Sequence, residues 1–390
     1  MLTKNIIFNN FSFNYPRKKI LNSFKKLLKD ENEIIKSLKN SYKDSYSKNK
    51  LAKLKKYKQV VLIGMGGSVL GSRSIYSFLK YKIKKKFIFK DNYEFLKIES
   101  KNKKNRMNLV ISKSGNTLET ISNSNVLINK SSKNVFLTEN KKNYLSDLAE
   151  KLKFEVIHHN NFIGGRYSVL SEVGMLPAQL MGLSPKKFRR FNSLVKNKRF
   201  VNSLVQNVSN TLYLIKKKKF NSIILNYDDS SSDLFYWYQQ LVAESLGKKS
   251  RGILPIVSSM PKDNHSLMQL YLDGFKNNFY TFFNVGNNFS EKINRDKLLK
   301  SHLFLKDKNL NYIKQSQFNA TVKVFKQKRI PFRSFLLKKR NEETLGELFI
   351  FFILETILLG KALNVNPYDQ PAVELIKTET KQILKKTNYR

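Results

Sequence analysis

The stretch VVLIGMGGSVLGSRSIYSFL, residues Val60 to Leu79, begins as an apolar strand pattern, breaks on clustered glycines and resumes as a helical pattern. Glycine allows backbone N–H groups to approach a ligand at the positive end of the following helix, which suits an anion. The Rossmann and Walker A fingerprints both fail, because Val69 replaces a required glycine and Ser72 a required lysine. The turn therefore predicts a phosphate on something other than a nucleotide. A turn that only packs strand against helix is the alternative.

The composition indicates a globular protein with a substantial core, since 41% of the 390 residues are hydrophobic and 29 are Phe. The absence of cysteine excludes disulfides, thiol catalysis and cysteine zinc sites, and agrees with a cytoplasmic location. No signal-peptide pattern opens the chain. The apolar run 348–360 contains Glu355 and is shorter than the roughly 20 residues of a membrane span. It predicts a buried helix and no membrane association, and we also take it as support for a dimer.

A formal net charge of +44 raises the possibility of a nucleic-acid partner. The lysines are spread along the whole chain instead of forming one basic stripe, and no RNA- or DNA-binding signature is present. We therefore expect no specific nucleic-acid partner, although nonspecific binding to polyanions at low salt is expected.

Strand patterns alternate with helical patterns along most of the chain, which is typical of parallel sheets joined by crossover helices. Strand candidates in the first series are 60–64, 87–89, 109–112, 135–137 and 156–157. A second series comprises NSIILNY, GILPIV and FYTFFNV. The organisation predicts an α/β protein in four parts: a helical N-terminal segment at 1–57, parallel-sheet domains at 58–190 and 191–362, and a C-terminal helix at 363–390.

A second turn, in LVISKSGNTLETISN, also follows a strand and carries Ser112, Ser114 and Thr117 ahead of a helical pattern. Hydroxyls, backbone N–H groups and a helix N-terminus together suit a phosphate. Two such turns in one parallel sheet would meet at the carboxyl ends of the strands, where open α/β sheets bind ligands. Simple N-capping by Ser and Thr is the alternative.

Two further motifs offer an arginine and a carboxylate, and the carboxylate suits proton abstraction. Arg166 directly follows Gly164 and Gly165, so its guanidinium sits on a backbone that can bend sharply. Gln240 and Glu244 are four residues apart in FYWYQQLVAESLGKK and would share one helix face. A carboxylate among apolar neighbours can act as a general base. An exposed helix glutamate and a surface arginine are the alternatives.

The last two candidates lie towards the C-terminus. His265, one of only four histidines, follows the capping candidates Asp263 and Asn264 and could pass a proton, or be an ordinary surface histidine. In NPYDQPAVELIKTE, Gln370 and Lys377 are seven residues apart, which predicts one shared helix face.

Six segments taken in order resemble the motifs of the phosphoglucose isomerase family. They are GGSVLG, SKSGNTLET, GGRYS, QLVAESLGK, NHS and DQPAVELIK, spread from residue 66 to 377. The resemblance implies two sugar-isomerase (SIS) domains, each a three-layer αβα arrangement with a parallel sheet, and a C-terminal helical arm. It also implies a homodimer with shared active sites and reversible isomerisation of glucose 6-phosphate and fructose 6-phosphate, a step of glycolysis and gluconeogenesis, without cofactor or metal.

The resemblance also assigns roles to residues. Glu244 matches the catalytic base and Arg166 the arginine beside the enediol. His265 and Lys377 match the pair that opens the sugar ring, with the histidine supplied by the neighbouring subunit. The remaining matches are substrate-binding residues: Ser68, Ser112, Ser114, Thr117, Gly165, Gln240 and Gln370.

Departures from the family pattern leave sugar selectivity open. Asn116 stands where the family has a second threonine, and Asn264 where it has a glutamine before the histidine. Phosphomannose or mixed isomerase activity is one alternative. A noncatalytic SIS domain that senses sugar phosphates is another, and the joint presence of Glu244, Arg166, His265 and Lys377 argues against it.

Overall fold

Ten strands form two five-stranded sheets within residues 2–93, 105–129, 132–286 and 290–387, which the computed structural model describes. The strands are β1 (Ile6–Asn9), β2 (Gln59–Gly64), β3 (Lys86–Lys90), β4 (Arg106–Ile111), β5 (Lys133–Glu139), β6 (Glu155–His159), β7 (Asn221–Asn226), β8 (Leu254–Ser259), β9 (Asn278–Val285) and β10 (Phe332–Leu337). All eight strands that the sequence predicted are among them.

Helices connect these strands and cover the sheets. They are α1 (Lys18–Lys29), α2 (Glu33–Ser37), α3 (Lys48–Lys55), α4 (Leu70–Phe78), α5 (Leu118–Leu127), α6 (Tyr144–Leu152), α7 (Glu172–Leu180), α8 (Pro185–Phe188), α9 (Phe191–Lys196), α10 (Lys198–Lys216), α11 (Ser232–Leu246), α12 (Met268–Asp273), α13 (Leu310–Gln327), α14 (Glu342–Ala362) and α15 (Glu374–Thr387). Short 3-10 helices at Gly66–Ser68 and Gly165–Leu170 belong to the site described below.

The first sheet has the strand order β3-β2-β4-β5-β6, and all its neighbouring strands are parallel. Successive residues of a strand face opposite sides of the sheet. Val61 and Ile63 accordingly pack in a cluster with Leu145 of α6, whereas Val60 and Leu62 join the main core. Both faces are covered, as a parallel sheet requires.

The second sheet has the order β1-β10-β9-β7-β8, parallel except for the pairing of β1 with β10. Ile223 and Leu225 pack in a cluster with Phe318 and Phe325 of α13, while Ile224 belongs to the main core on the other face. The α/β fold class with two parallel-sheet domains is therefore confirmed. The domain boundaries proposed from the sequence stay a prediction.

The N-terminal segment is not purely helical, which corrects the sequence prediction. Its residues Ile6–Asn9 form β1, and Ile6 pairs with Leu337 at the far end of the chain. A four-residue edge strand whose partner is so distant leaves little local pattern. Strand β10 was also missed, because Arg333 interrupts its apolar run; this arginine is buried in an ion pair with Glu355.

Helix α14 contains the apolar run and is buried along nearly its whole length, as the sequence predicted. Because this chain covers the helix by itself, the helix gives no support for a dimer, and that part of the sequence argument was wrong. None of the helices in the described residues is long and apolar enough to cross a membrane.

Helices α4 and α11 run antiparallel between the two sheets. Ser77, at the end of α4, donates a hydrogen bond to Asp233 at the start of α11. At the opposite ends, Gly66 lies against the side chain of Gln240. The pair thus brings the last turns of α11 next to the glycine turn that precedes α4.

Candidate active site

The first glycine turn lies directly beside the end of the neighbouring strand. Gly64 pairs with Ile111, so strands β2 and β4 end at the same level. A β-carbon on Gly64 would lie 2.8 Å from the Ile111 carbonyl oxygen and 3.0 Å from the Ser68 β-carbon. Ser68 is therefore placed next to the start of the second turn, as the phosphate-site prediction requires.

The second turn has a fixed shape and paired hydroxyls. The Ser112 and Thr117 hydroxyl oxygens are 2.9 Å apart. Gly115 adopts φ +65°, a left-handed conformation that favours glycine, and any β-carbon there would collide with the Asn143 side chain. Thr117 is the N-cap residue of α5, but its side chain makes no capping hydrogen bond. Its hydroxyl is thus turned towards Ser112 rather than used for the simple N-capping that was the alternative.

Ser114 and Asn116 occupy the outer part of this turn. Both are exposed, and the Ser114 hydroxyl accepts a hydrogen bond of 3.3 Å from the Asn116 N–H. The Asn116 side-chain oxygen accepts from the Tyr144 N–H at 3.1 Å. Asn116, which departs from the family pattern, therefore ties the turn to the start of α6.

The GGS and GGR turns touch through their backbones. A β-carbon on Gly67 would lie 2.6 Å from the Arg166 nitrogen and closer still to the Gly165 carbonyl group. Real β-carbons do not approach other atoms so closely, so position 67 requires glycine. The first turn therefore fixes where the arginine leaves the backbone.

Arg166 is buried and every N–H of its guanidinium has an acceptor. Nε donates to the Ser245 hydroxyl at 2.8 Å. Nη1 donates to Glu244 Oε2 at 3.2 Å and to Gln370 Oε1 at 2.6 Å. Nη2 donates to the carbonyl oxygens of Pro367 and Asp369 at 2.7 and 3.0 Å. Five donors meet five acceptors, which holds the positive charge in one orientation.

Tyr167 supports the same arrangement. Its hydroxyl lies 2.8 Å from the Ser245 hydroxyl and donates to the Pro367 carbonyl oxygen at 3.0 Å. Burial raises the pKa of Tyr167, so the phenol stays neutral and keeps its proton.

Glu244 and Gln240 share a helix face, as their spacing predicted. Gln240 Nε2 donates to Glu244 Oε1 at 2.9 Å, and the Glu244 side chain is 28% exposed. Among the described residues, Gln240 Oε1 is a buried oxygen without a hydrogen-bond partner. The carboxylate is thus held between an amide and a guanidinium and still reaches solvent.

Gln370 joins the cluster but Lys377 does not. Helix α15 begins at Glu374, so Gln370 precedes it, and the prediction that the two residues share a helix face was wrong. Gln370 contacts Arg166, whereas the Lys377 ammonium pairs with Glu374 at 2.6 Å and its side chain is 62% exposed.

His265 lies at the carboxyl end of β8, away from the cluster in the same chain. It is exposed and lines a surface cavity of about 600 Å³ with Asp229 and Gln317. Gln239 Nε2 donates to the Pro255 carbonyl oxygen, which places the second half of α11 at the amino end of β8. Six strand residues, about 20 Å at 3.3 Å each, therefore separate His265 from the level of Glu244.

Three residues that position the cluster were not predicted from the sequence. Ser245 and Tyr167 anchor Arg166, and Asn143 fills the space beside Gly115. Ser245 directly follows Glu244, and Tyr167 directly follows Arg166, inside the quoted motifs. Their position in the motifs could therefore have indicated a role in the cluster. Nothing in the local sequence pointed to Asn143. In the described ranges, no group of three His, Asp or Glu side chains could hold a metal ion.

The second turn, Arg166 and Glu244 thus lie beside a parallel sheet, the arrangement expected from the resemblance to sugar-phosphate isomerases. The chain belongs to the phosphoglucose isomerase family, because the family model described as phosphoglucose isomerase matches residues 16–389.

One relative agrees with this assignment, and two solved structures share the fold. A glucose-6-phosphate isomerase of Methanocaldococcus jannaschii is 32% identical over 84% of this chain and 84% of its own length. The crystal structure of a glucose-6-phosphate isomerase from Chlamydia trachomatis matches with a TM-score of 0.72 at 17% identity, over 99% of this chain and 89% of that one. A hypothetical protein from Thermus thermophilus matches with a TM-score of 0.80 at 21% identity, over 94% of both chains.

Proposed function

We propose that the protein interconverts glucose 6-phosphate and fructose 6-phosphate through an enediolate. The observation that carries the proposal is the contact of Arg166 with Glu244 beside the two turns of the first sheet. A base and a fixed cation at one point are what proton transfer next to a carbonyl group needs.

The turns would bind the phosphate. Ser68, Ser112 and Thr117 present hydroxyls at the carboxyl ends of β2 and β4, and Ser114 lies at the outer side of the same turn. The backbone of Gly165 packs against Gly67 of the first turn. Phosphate binding far from the reacting carbons supplies free energy for orienting them.

Glu244 would remove the proton from carbon 2 of the open-chain aldose and return it to carbon 1. The electron pair released from carbon 2 forms a double bond to carbon 1 while the carbonyl pair moves onto oxygen 1, and Arg166 stabilises this negative charge. The hydroxyl proton of oxygen 2 passes to oxygen 1, so that protonation of carbon 1 leaves the carbonyl group on carbon 2. Because all five donors of Arg166 already have acceptors, the substrate oxygen must replace one of them. Nη1 is the nitrogen that can exchange a partner. Its acceptors Glu244 and Gln370 are side chains, whereas Nη2 donates to backbone carbonyls and Nε to the fully buried Ser245. Gln240 would hold Glu244 during this exchange.

We propose that ring opening uses His265 from the partner subunit of a homodimer. The separation of His265 from Glu244 within one chain supports this arrangement, as does the exposure of His265. Lys377 would complete the pair after a movement of α15, on which it is exposed. We also propose a cytoplasmic location, where sugar phosphates are retained by their charge.

The direct test is a coupled assay of the purified protein with glucose 6-phosphate, fructose 6-phosphate and mannose 6-phosphate. We expect interconversion of the first two. Turnover of mannose 6-phosphate at a comparable rate would replace the proposal by a mixed isomerase. Binding of all three sugars without turnover would indicate a sensor.

The shared site has its own test. Mixed dimers of His265→Ala and Glu244→Gln subunits, isolated with two different tags, should contain one intact site and exceed both parent homodimers in activity. Confirmed mixed dimers with activity no higher than the parents would place His265 outside a shared site.

A further inference from the structure

A buried cluster at the end of β6 lies outside the groups used above. The His159 ring is fully buried, with Nδ1 3.3 Å from Glu172 Oε2 and Nε2 3.0 Å from the Ile163 carbonyl oxygen. The Tyr42 hydroxyl donates to Glu172 Oε1 at 2.9 Å. Both ring nitrogens face oxygen atoms, so the ring is fixed between the Glu172 carboxylate and the Ile163 carbonyl group.

This cluster holds both ends of the segment that carries Arg166. Ile163 lies immediately before the GGR turn, and Glu172 begins α7 two residues after the end of the 3-10 helix Gly165–Leu170. His159 is the last residue of β6 in the first sheet. Its ring therefore connects this strand to the residue before the GGR turn and to the first residue of α7. Burial alone would raise the pKa of Glu172, but hydrogen bonding and charge from His159 lower it, so Glu172 remains a carboxylate.

We infer that His159 and Glu172 are positioning residues for Arg166 in the isomerase reaction. The inference rests on the proposed function, because it concerns the arginine that stabilises the enediolate. The backbone at Arg166 touches Gly67 on one side, and the guanidinium has no spare donor on the other. A shift of the segment would therefore move the charge away from the developing oxyanion.

A second anchor shows how the segment is otherwise fixed. Arg189 Nε donates to the Leu170 carbonyl oxygen at 3.0 Å, and its guanidinium pairs with Asp44. This anchor holds the segment near its C-terminal end. On the N-terminal side, the contact of His159 with Ile163 adds to the contact of Gly67 with the Gly165 and Arg166 backbone. Loss of His159 should therefore misplace Arg166 without unfolding the domain.

The test compares His159→Ala with His159→Gln, which keeps a side-chain N–H donor. For His159→Ala we expect kcat to fall about 10-fold while KM for fructose 6-phosphate changes less than about 2-fold, since misplaced catalytic groups reduce turnover steeply. His159→Gln should recover kcat to within about 3-fold of the wild type. Circular dichroism at the assay temperature confirms that each variant is folded.

Glu355→Gln is the matched control, because it disrupts a buried ion pair with Arg333 that has no contact with the segment. It should lower Tm while kcat stays within about 2-fold. A folded His159→Ala protein with kcat within about 2-fold of the wild type would overturn the inference. If His159→Ala does not fold, Tyr42→Phe takes its place, with an expected 2- to 3-fold fall in kcat, and an unchanged kcat overturns the inference. An inactive wild type would instead refute the proposed function.

Discussion

The carboxyl ends of the two parallel sheets carry turns of different chemistry. The turns after β2 and β4, GMGGS and SKSGNT, contain glycine and hydroxyl residues and no acidic residue. After β7 and β8 come Asp228, Asp229 and Asp263. Asp228 pairs with Arg340, and Asp263 accepts hydrogen bonds of 2.8 Å from the Ser258 hydroxyl and the Ser259 N–H. Carboxylates repel a phosphate, so the described turns favour the proposed phosphate site at the first sheet over one at the second.

Helix α11 connects the second sheet to the site proposed at the first. Helix α11 starts at the carboxyl end of the second sheet, but its last turns lie against the glycine turn of the first sheet. Residues Gln240 and Glu244 of this helix therefore belong to the site proposed at the first sheet. His265 lies at the carboxyl end of the second sheet.

The largest expected effect is that of Glu244→Gln, which tests whether α11 brings a base to the first sheet. The amide keeps the shape and the contact with Gln240 but cannot accept the proton. Turnover should fall by about 10²- to 10⁴-fold while sugar-phosphate binding persists. Steady-state kinetics with fructose 6-phosphate measure this, and near-normal turnover would mean that the base lies elsewhere.

The next effect concerns the contact between the GGS and GGR turns. Gly67→Ala places a β-carbon against the backbone at Gly165 and Arg166, so we expect kcat/KM to fall about 100-fold. Gly164→Ala is the matched control in the adjacent turn, because its backbone has φ −67° and a β-carbon would meet nothing closer than 3.9 Å. Equal activity of the two variants would show that the turns do not position Arg166.

The smallest effect concerns the acidic turn of the second sheet. Burial alone would raise the pKa of Asp263, but hydrogen bonds from Ser258, Ser266 and the Ser259 N–H lower it overall. A lowered folded-state pKa stabilises the fold above the unfolded value, about 3.9, and this contribution is lost as the pH falls through the folded pKa. Asp263→Asn should therefore lower Tm by about 1–2 °C at pH 7. Thermal melts should show the difference shrinking below about pH 4; a difference independent of pH would contradict this account.

Much of the fold was predictable because its strands and helices have strong local patterns. Eight of the strands have apolar runs bounded by glycine or polar turns. Strand β1 was not predicted because it is a short edge strand. Strand β10 was not predicted because it contains the buried Arg333, whose ion pair with Glu355 cannot be read from the local sequence.

The site was predictable where chemistry follows a motif. The motif residues Arg166, Gln240 and Glu244 come together as expected, and Ser112 meets Thr117. The contacts that position them could not be predicted, because they join distant parts of the chain. Arg166 reaches backbone carbonyls about two hundred positions away. His159 contacts Glu172 across an irregular turn, and no sequence periodicity predicts the conformation of that turn.

The central claim is that each chain has one phosphate site, built at the first sheet around Ser112 and Thr117. Calorimetric titration of fructose 6-phosphate into Glu244→Gln protein, which should not turn the ligand over, tests it directly. We predict one site per chain, weakened about 10- to 100-fold by Ser112→Ala with Thr117→Ala and unchanged by Ser230→Ala with Ser231→Ala at the second sheet. Unphosphorylated fructose should show no such difference. Unchanged affinity in the first double variant, or equal losses in both, would contradict the account.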